Sequence, residues 1–409
     1  MRDEYRYRHP SALPLFDDKP RNYSGLARRS ESIYSFLDRS ALPDYGRVRQ
    51  MLQRWIDHFP LEHRTSLVRR MRHEGAGSRK DDRQFEAAFF ELLVHEFLTG
   101  AGGQVTIEPR IAGRTPDFAV TETLHDGAEY SYVVEATDVD IEAGTDLERD
   151  RNELLALDIL NDLYAPDFVL HIRTEGKLRS VPRKRELMRP FEKLVNETEY
   201  EDLYAACERN AYSLDVLPAT TFTHDGWTIT GRLMPISPDS RPRKGAFVGM
   251  GPAKSGVVDD IGKTKQRLYD KAKRYRDVNN LIIALRTSHR LDRLYEVLFG
   301  SIGVAFYAHS NPADTSPLPE PHSRRKLDGF WFNSSGPQNQ HVIGVATFYG
   351  TYPWSVDKSR AVFFANPYVG EPMPRWTKII DHAEYSEGSI DIIHGSSPSG
   401  LMQDYEIIE

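Results

Sequence analysis

Between Ser30 and Met71 the apolar residues fall at helical spacing: Ile33, Phe36 and Leu37; Val48, Met51, Leu52, Trp55 and Ile56; Leu67, Val68 and Met71. This period predicts a small helical region. A polar, proline-broken arm over 1–20 precedes it, and His73 to Asp82 reads as a linker. From Gln84 to Thr99 the chain (QFEAAFFELLVHEFLT) is apolar nearly all round, is too long for a strand and stops at Gly100. It is expected to be a buried helix.

The period then shortens. Gln104 to Glu108, Asp117 to Leu124 and Tyr130 to Thr137 are rich in β-branched and aromatic residues, with a turn at His125-Asp126-Gly127. Three short strands are predicted. A Leu-spaced helix from Asp146 to Tyr164 follows, and Pro166-Asp167 leads into a fourth strand, Phe168 to Arg173, giving the order αβββαβ. Farther on, Pro190 to Asn210 reads as helical and Gly226 to Ile236 as strands. A basic helix, Ile261 to Tyr275, feeds a buried strand, Asn280 to Leu285, and a Pro/Ser-rich loop over Ser310 to Arg325 precedes strands at Gly329 to Asn333 and His341 to Tyr349. The chain is therefore expected to be an α/β protein in three regions: a helical 1–78, a core over 79–175, and 176–409, which either extends the core sheet or forms a second lobe. The aromatics Phe330, Trp331, Phe332, Tyr349, Tyr352 and Trp354 are expected mostly in the core, although exposed rings would suit base stacking.

Two short stretches carry the candidate chemistry. Pro116-Asp117 and Glu135-Ala136-Thr137 stand at the two ends of the predicted hairpin. Two carboxylates on adjacent strands suit a hard divalent cation, and hence phosphodiester chemistry. Each acid alone reads more simply as a turn or sheet-edge residue, but the flanking helices favour the metal site. Register is the test. A two-residue turn at Asp126-Gly127 would pair Asp117 with Ala136 and send Glu135 to the other face, whereas one residue more or less in the loop, or a bulge, restores a shared face. Glu91, set among Phe89, Phe90, Leu92 and Leu93, is hard to solvate. It is either a further metal ligand or a plain structural acid that pairs with a neighbouring arginine or reaches water at the rim.

With PD opening one strand and an acid closing the next, this order resembles the core of the PD-(D/E)XK nucleases, the restriction-endonuclease-like superfamily. The resemblance covers roughly a quarter of the chain on the length scale of a single domain. It implies a restriction-endonuclease-like αβββαβ core with Mg²⁺ or Mn²⁺ held by Asp117 and Glu135, DNA as substrate because the superfamily mostly acts there, RNA less so, and a role in defence against foreign DNA. The family lysine, which helps orient or deprotonate the attacking water, falls on Thr137. That hydroxyl carries no charge. A substitute cation is then expected from Arg149, Arg151 or, preferred, Lys271. The chain also resembles a group of bacterial proteins of unknown activity that share F-x-E-L, PDF, EAT and LFG, here Phe89 to Leu92, Pro116 to Phe118, Glu135 to Thr137 and Leu298 to Gly300.

Charge and composition narrow the classes. The balance of 53 basic against 60 acidic residues gives a net charge of −7, so no global field draws the chain to nucleic acid. Local basic stretches exist at Arg64 to Arg83, at Arg173 to Lys193 and in the helix holding Lys263, Lys265, Arg267, Lys271, Lys273 and Arg274. Such runs are usually solvated faces, and otherwise phosphate-contacting ones. A single cysteine, Cys207, excludes an internal disulfide and a cysteine-cluster metal site. With no run long enough to span a bilayer, a soluble cytoplasmic protein is expected. Gly249 to Gly256 departs from the phosphate-loop pattern, with Ala253 where glycine is required, and His95-Glu96 lacks the second histidine of a zinc protease. The main rival to a nuclease is a nuclease-shaped scaffold without catalysis that binds nucleic acid or a protein partner. A homodimer is compatible with either.

Overall fold

The computed structural model describes residues 13–72, 82–124, 126–139, 147–243, 245–250, 260–287, 290–305, 322–370, 372–386 and 389–402. Most of the expected N-terminal arm, most of the linker at 73–82, the side chain of Arg149, most of the glycine-rich stretch at 249–256 and most of the Pro/Ser loop lie outside the described residues. The chain divides into two compact units, Met1–Arg21 with Ala41–Ile141 and Val258–Glu409, and Asn22–Ser40 with Glu142–Val257. The second is thus inserted in the sequence of the first, a division that cuts across the boundaries at 78/79 and 175/176.

In the inserted unit, α1 (Ile33–Arg39), α5 (Leu147–Asn161), α6 (Lys184–Asn196) and α7 (Tyr200–Arg209) accompany a four-stranded sheet of order β5-β6-β4-β7, built from β4 (Phe168–Glu175), β5 (Ala219–His224), β6 (Trp227–Pro235) and β7 (Val248–Met250). The inward residues of β4 and β6, among them Leu170, Ile172, Trp227 and Ile229, pack with Leu187 and Phe191 of α6 and with the buried Cys207 of α7. Asp158 of α5 accepts from the Arg29 and Ser30 backbone N–H groups, which fixes the lead-in to α1.

The larger unit begins with α2 (Pro43–His58), α3 (Leu61–Arg72) and α4 (Arg83–Gly100), followed by β1 (Gln104–Ile107), β2 (Phe118–Thr123) and β3 (Glu129–Asp138). After the inserted unit come α8 (Asp260–Arg274), β8 (Leu281–Thr287), α9 (Leu291–Phe299), β9 (Ile302–Ala305), β10 (His322–Arg325), β11 (Phe332–Asn333) and β12 (Gly336–Pro337). The unit ends in β13 (Val342–Tyr349), β14 (Arg360–Ala365), β15 (Asp381–Ser386) and β16 (Ser389–Ile393). Among the described residues its main sheet has eight strands in the order β1-β2-β3-β8-β13-β14-β15-β16, with β3, β8 and β13 mutually parallel. Helices cover both faces, so every residue of β8 is buried and the sequence there shows no alternation.

On one face α8 and α9 bring Leu268, Ala272, Leu294 and Val297 onto Val133, Ile283, Val345 and Phe364. On the other, Phe90 and Phe97 of α4 meet Phe348 of β13 edge to face. The outer side of α4 takes α2 and α3, which explains a helix that is apolar nearly all round. The LFG triplet has a structural account: Leu298 is buried, Phe299 stacks on Tyr385, and Gly300 ends α9 at φ 96°, where an added Cβ would run into the Lys326 carbonyl.

Two expectations change. The strand at 168–173 does not continue the β1–β3 sheet; β4 belongs to the inserted unit, and the strand hydrogen-bonded to β3 is β8, more than a hundred residues later. The αβββαβ order is therefore present in the sequence but not in one sheet. Phe330 and Trp331 are buried, yet Tyr352 and Trp354 are 41% and 47% exposed and lie stacked on one another. The hairpin register, which the sequence left open, determines the site.

Candidate functional site

β2 and β3 pair with Phe118 opposite Val134 and Thr123 opposite Glu129, and Leu124 N–H donates to the Ala128 carbonyl across the turn. Continuing that register sets Asp117 opposite Glu135. The connection is one residue longer than a two-residue turn, and the slip moves both acids to a common face. Past Phe118 the ladder stops, and its end is closed by side chains. The Ala136 N–H donates to Asp117 Oδ2 at 2.7 Å, and the Asp117 N–H donates to Glu135 Oε2 at 3.3 Å. The two carboxylates are thus interlocked through each other's backbone, while the Asp117 carbonyl accepts from Glu108 N–H at the end of β1.

Lys271 arrives from the opposing helix. Its Nζ lies 2.5 Å from Glu135 Oε1, and both side chains are largely buried. The other cations of the α8 run that are described divide differently: Lys263, Arg267, Lys273 and Arg274 are exposed, and Lys265 donates to the Asp328 carbonyl. One turn beyond Lys271, the buried Tyr275 donates to the Thr115 carbonyl at 3.2 Å, holding the segment that leads into Asp117. Burial and the nearby Glu135 charge push the Tyr275 phenol well above its ordinary range. Thr137 is buried on β3, two residues beyond Glu135 and therefore on the same face, in register with Leu285.

Asp117 is the electrostatically exceptional group. Burial first, then the Glu135 and Glu91 charges, push its carboxyl up to about 7, against the lowering effects of the Ala136 N–H and Lys271. Two acids share this site, and its one ammonium touches only Glu135. Glu91, expected as a further ligand, is gripped by Arg70 of α3: Arg70 Nη1 reaches Glu91 Oε1 at 2.7 Å and Nη2 bonds Oε2. Arg151 is an exposed residue of the inserted unit. The sequence did not single out Arg70 or Tyr275. Tyr275 was detectable as the aromatic four residues after Lys271 on the same helix face.

Among the described residues no group of three His, Cys, Asp or Glu side chains is gathered to hold a metal ion unaided. Two carboxylates are nonetheless a fitting donor set for Mg²⁺ or Mn²⁺, because such ions take one or two protein carboxylates and fill the remaining positions with water and substrate phosphate. Burial, with the Glu135 and Glu91 charges nearby, keeps Asp117 above its ordinary range, and a bound cation would oppose that shift. Beside Asp117 opens a narrow cleft lined by Phe59, His63, Ser66, Arg70, Glu91, Ile107, Glu108 and Phe118. Among the described residues no helix is long and apolar enough to cross a membrane. Comparison of the chain with protein-family models, with curated proteins and with solved structures finds no match.

Proposed function

We propose that this protein hydrolyses DNA phosphodiester bonds with a divalent metal ion, Mg²⁺ or Mn²⁺, held by Asp117 and Glu135. The observation that carries the reading is the convergence of these two acids at the ends of β2 and β3, with no cation bonded directly to Asp117 among the described residues. When bound, the ion supplies a lowered water pKa and a polarised phosphate. The chain's own residues do the rest. Lys271, fixed on Glu135, would supply the positive charge that Thr137 cannot provide and would stabilise negative charge developing on a phosphate bound beside the pair. Tyr275 and the backbone hydrogen bonds hold the acids in place before substrate arrives. The cleft beside Asp117 gives a phosphate access. Exposed Lys263, Arg267, Lys273 and Arg274 on α8 supply sequence-independent contact to a DNA backbone on a protein whose net charge is −7.

Plasmid nicking in Mg²⁺ and in Mn²⁺ tests the reading. Wild type is expected to cleave, and Asp117→Ala and Glu135→Ala to lose at least about a hundredfold in rate, the scale of removing a group that acts on the reacting centre. No cleavage in either metal, with DNA binding unchanged in both variants, would favour the non-catalytic scaffold.

A further inference from the structure

The wall of the cleft opposite Asp117 is one face of α3. His63, Ser66 and Arg70 stand at spacings of three and four and all line the opening. A hydroxyl, an imidazole and a guanidinium on one side of a cleft are an anion-recognition set, and the planar guanidinium matches a phosphate in two-pronged fashion. Both nitrogen-bearing members lie against acids. Arg70 holds Glu91, and His63 Nδ1 lies 3.6 Å from Glu108. These contacts leave donor capacity unused: among the described residues Arg70 Nε is buried with no hydrogen-bond partner, and Ser66 is exposed.

We propose that His63, Ser66 and Arg70 form a subsite for a phosphate of the DNA backbone, and that Glu91 holds Arg70 in reserve until that phosphate arrives. The inference rests on the nuclease reading for the identity of the ligand, but it concerns binding and needs no metal. An incoming phosphodiester displaces the Glu91 carboxylate from the guanidinium and takes its two-pronged contact. It also accepts from the Ser66 hydroxyl. The phosphate is then held beside Asp117, at the mouth of the acidic pair. A role confined to fastening α3 onto α4 would account for the Arg70–Glu91 pair alone. It does not account for three donors facing an open cleft, one of them with an unused buried N–H.

The two partners of the pair give opposite predictions. Binding of a short labelled duplex, in EDTA so that no cleavage intervenes, is expected to weaken about tenfold in Arg70→Ala, since a hydrogen bond to a charged group is lost. Arg70→Lys is expected to recover part of that loss, and Glu91→Gln, which frees Arg70, to bind a few-fold more tightly than wild type. Inorganic phosphate should compete with the duplex in wild type and in Glu91→Gln but not in Arg70→Ala. If Arg70→Ala does not fold, Glu91→Gln and Arg70→Lys still decide. Unchanged binding in all variants, or equal weakening in Arg70→Ala and Glu91→Gln, would overturn the subsite and leave a structural ion pair. Because these measurements exclude metal, they stand apart from the nicking assay. Loss of cleavage with retained Arg70-dependent binding sinks the nuclease, whereas cleavage without it sinks the subsite.

Discussion

Two buried charge clusters flank β3, one on each face of its last turn of chain, and they have the same formal inventory of two acids and one base. On the α4 face Arg286 of β8 bonds Asp138 through Nε at 2.9 Å and through Nη2, and reaches Glu86 at 2.9 Å with the same Nη2. On the α8 face Lys271 bonds Glu135, and Asp117 receives only a backbone N–H. The difference lies in the base. A guanidinium presents a rigid fork that can serve two carboxylates at once, whereas an ammonium is a point charge on a flexible stem. Burial still pushes the Glu86 carboxyl above its ordinary value, and Arg286 draws it back only in part. Asp117, without such a fork, rises to about 7. In one cluster both acids are bonded by the same base, although among the described residues Arg286 Nη1 is buried without a hydrogen-bond partner. In the other no cation bonds Asp117 directly among the described residues, which is the condition a metal ion or a phosphate-bound cation would relieve.

The comparison breaks most visibly at Arg286. Replacing it with alanine leaves the partly buried Asp138 and Glu86 without their counter-charge, and removing one partner costs up to about 3–5 kcal/mol where an ion pair is fully buried. A large fall in melting temperature is expected at pH 7. Arg286→Lys should lie between the two, since it restores charge but not the fork. If Arg286→Ala melts like wild type, the Arg286 cluster contributes little and the contrast with Asp117 disappears.

At Asp117 the sign reverses. Its folded-state pKa is raised above the ordinary carboxylate value, so its contribution to stability is fully present below about pH 4 and is lost as pH rises through about 7. Asp117→Asn keeps an oxygen to accept from the Ala136 N–H and cannot ionise. In metal-free buffer above pH 7 the variant is therefore expected to be more stable than wild type, by about 1–3 kcal/mol, with the advantage shrinking towards pH 4. Adding Mn²⁺ at pH 8 should raise the wild-type melting temperature and leave Asp117→Asn nearly unmoved, because binding to the folded state alone stabilises it. Thermal melts from pH 4 to pH 8, with and without Mn²⁺, read both effects. A wild type more stable than Asp117→Asn at pH 8 without metal would show that Asp117 already has its counter-charge.

Much of this contrast was legible in the amino-acid order, and the reason the rest was not is physical. Asp117, Glu135 and Lys271 are identifiable because they break local pattern: acids at the ends of apolar strands, and a lysine on a helix beside a buried strand. The α4 stretch announces its burial by being apolar all round. Periodicity, however, encodes a strand's faces and not its neighbours, so β4 reads as well beside β3 as β8 does, and the inserted unit between them leaves no mark. The hairpin register turned on a single residue of loop length, which period-two patterning cannot fix from one strand. The two clusters are likewise indistinguishable in sequence. Arg286 and Lys271 are both basic residues near apolar runs, and only the packing of helices against opposite faces decides which acids each one meets.

The smallest test concerns what keeps the open cluster in shape. Tyr275 donates to the Thr115 carbonyl, and Thr115 is separated from Asp117 only by Pro116, whose fixed φ limits how the segment can relax. Tyr275→Phe preserves the ring packed in the core and deletes only the hydroxyl. Losing one neutral hydrogen bond costs about 1 kcal/mol, so a modest fall in melting temperature is expected whatever else the residue does. A positioning role predicts more. With Thr115 released, Asp117 and Glu135 are less firmly interlocked, and Mn²⁺ should bind a few-fold more weakly, while the stability gained from Asp117→Asn above pH 7 shrinks in the double variant because the two changes no longer act independently. A fall in melting temperature with Mn²⁺ affinity intact would assign Tyr275 to the core alone and leave the acid pair held by its two backbone hydrogen bonds.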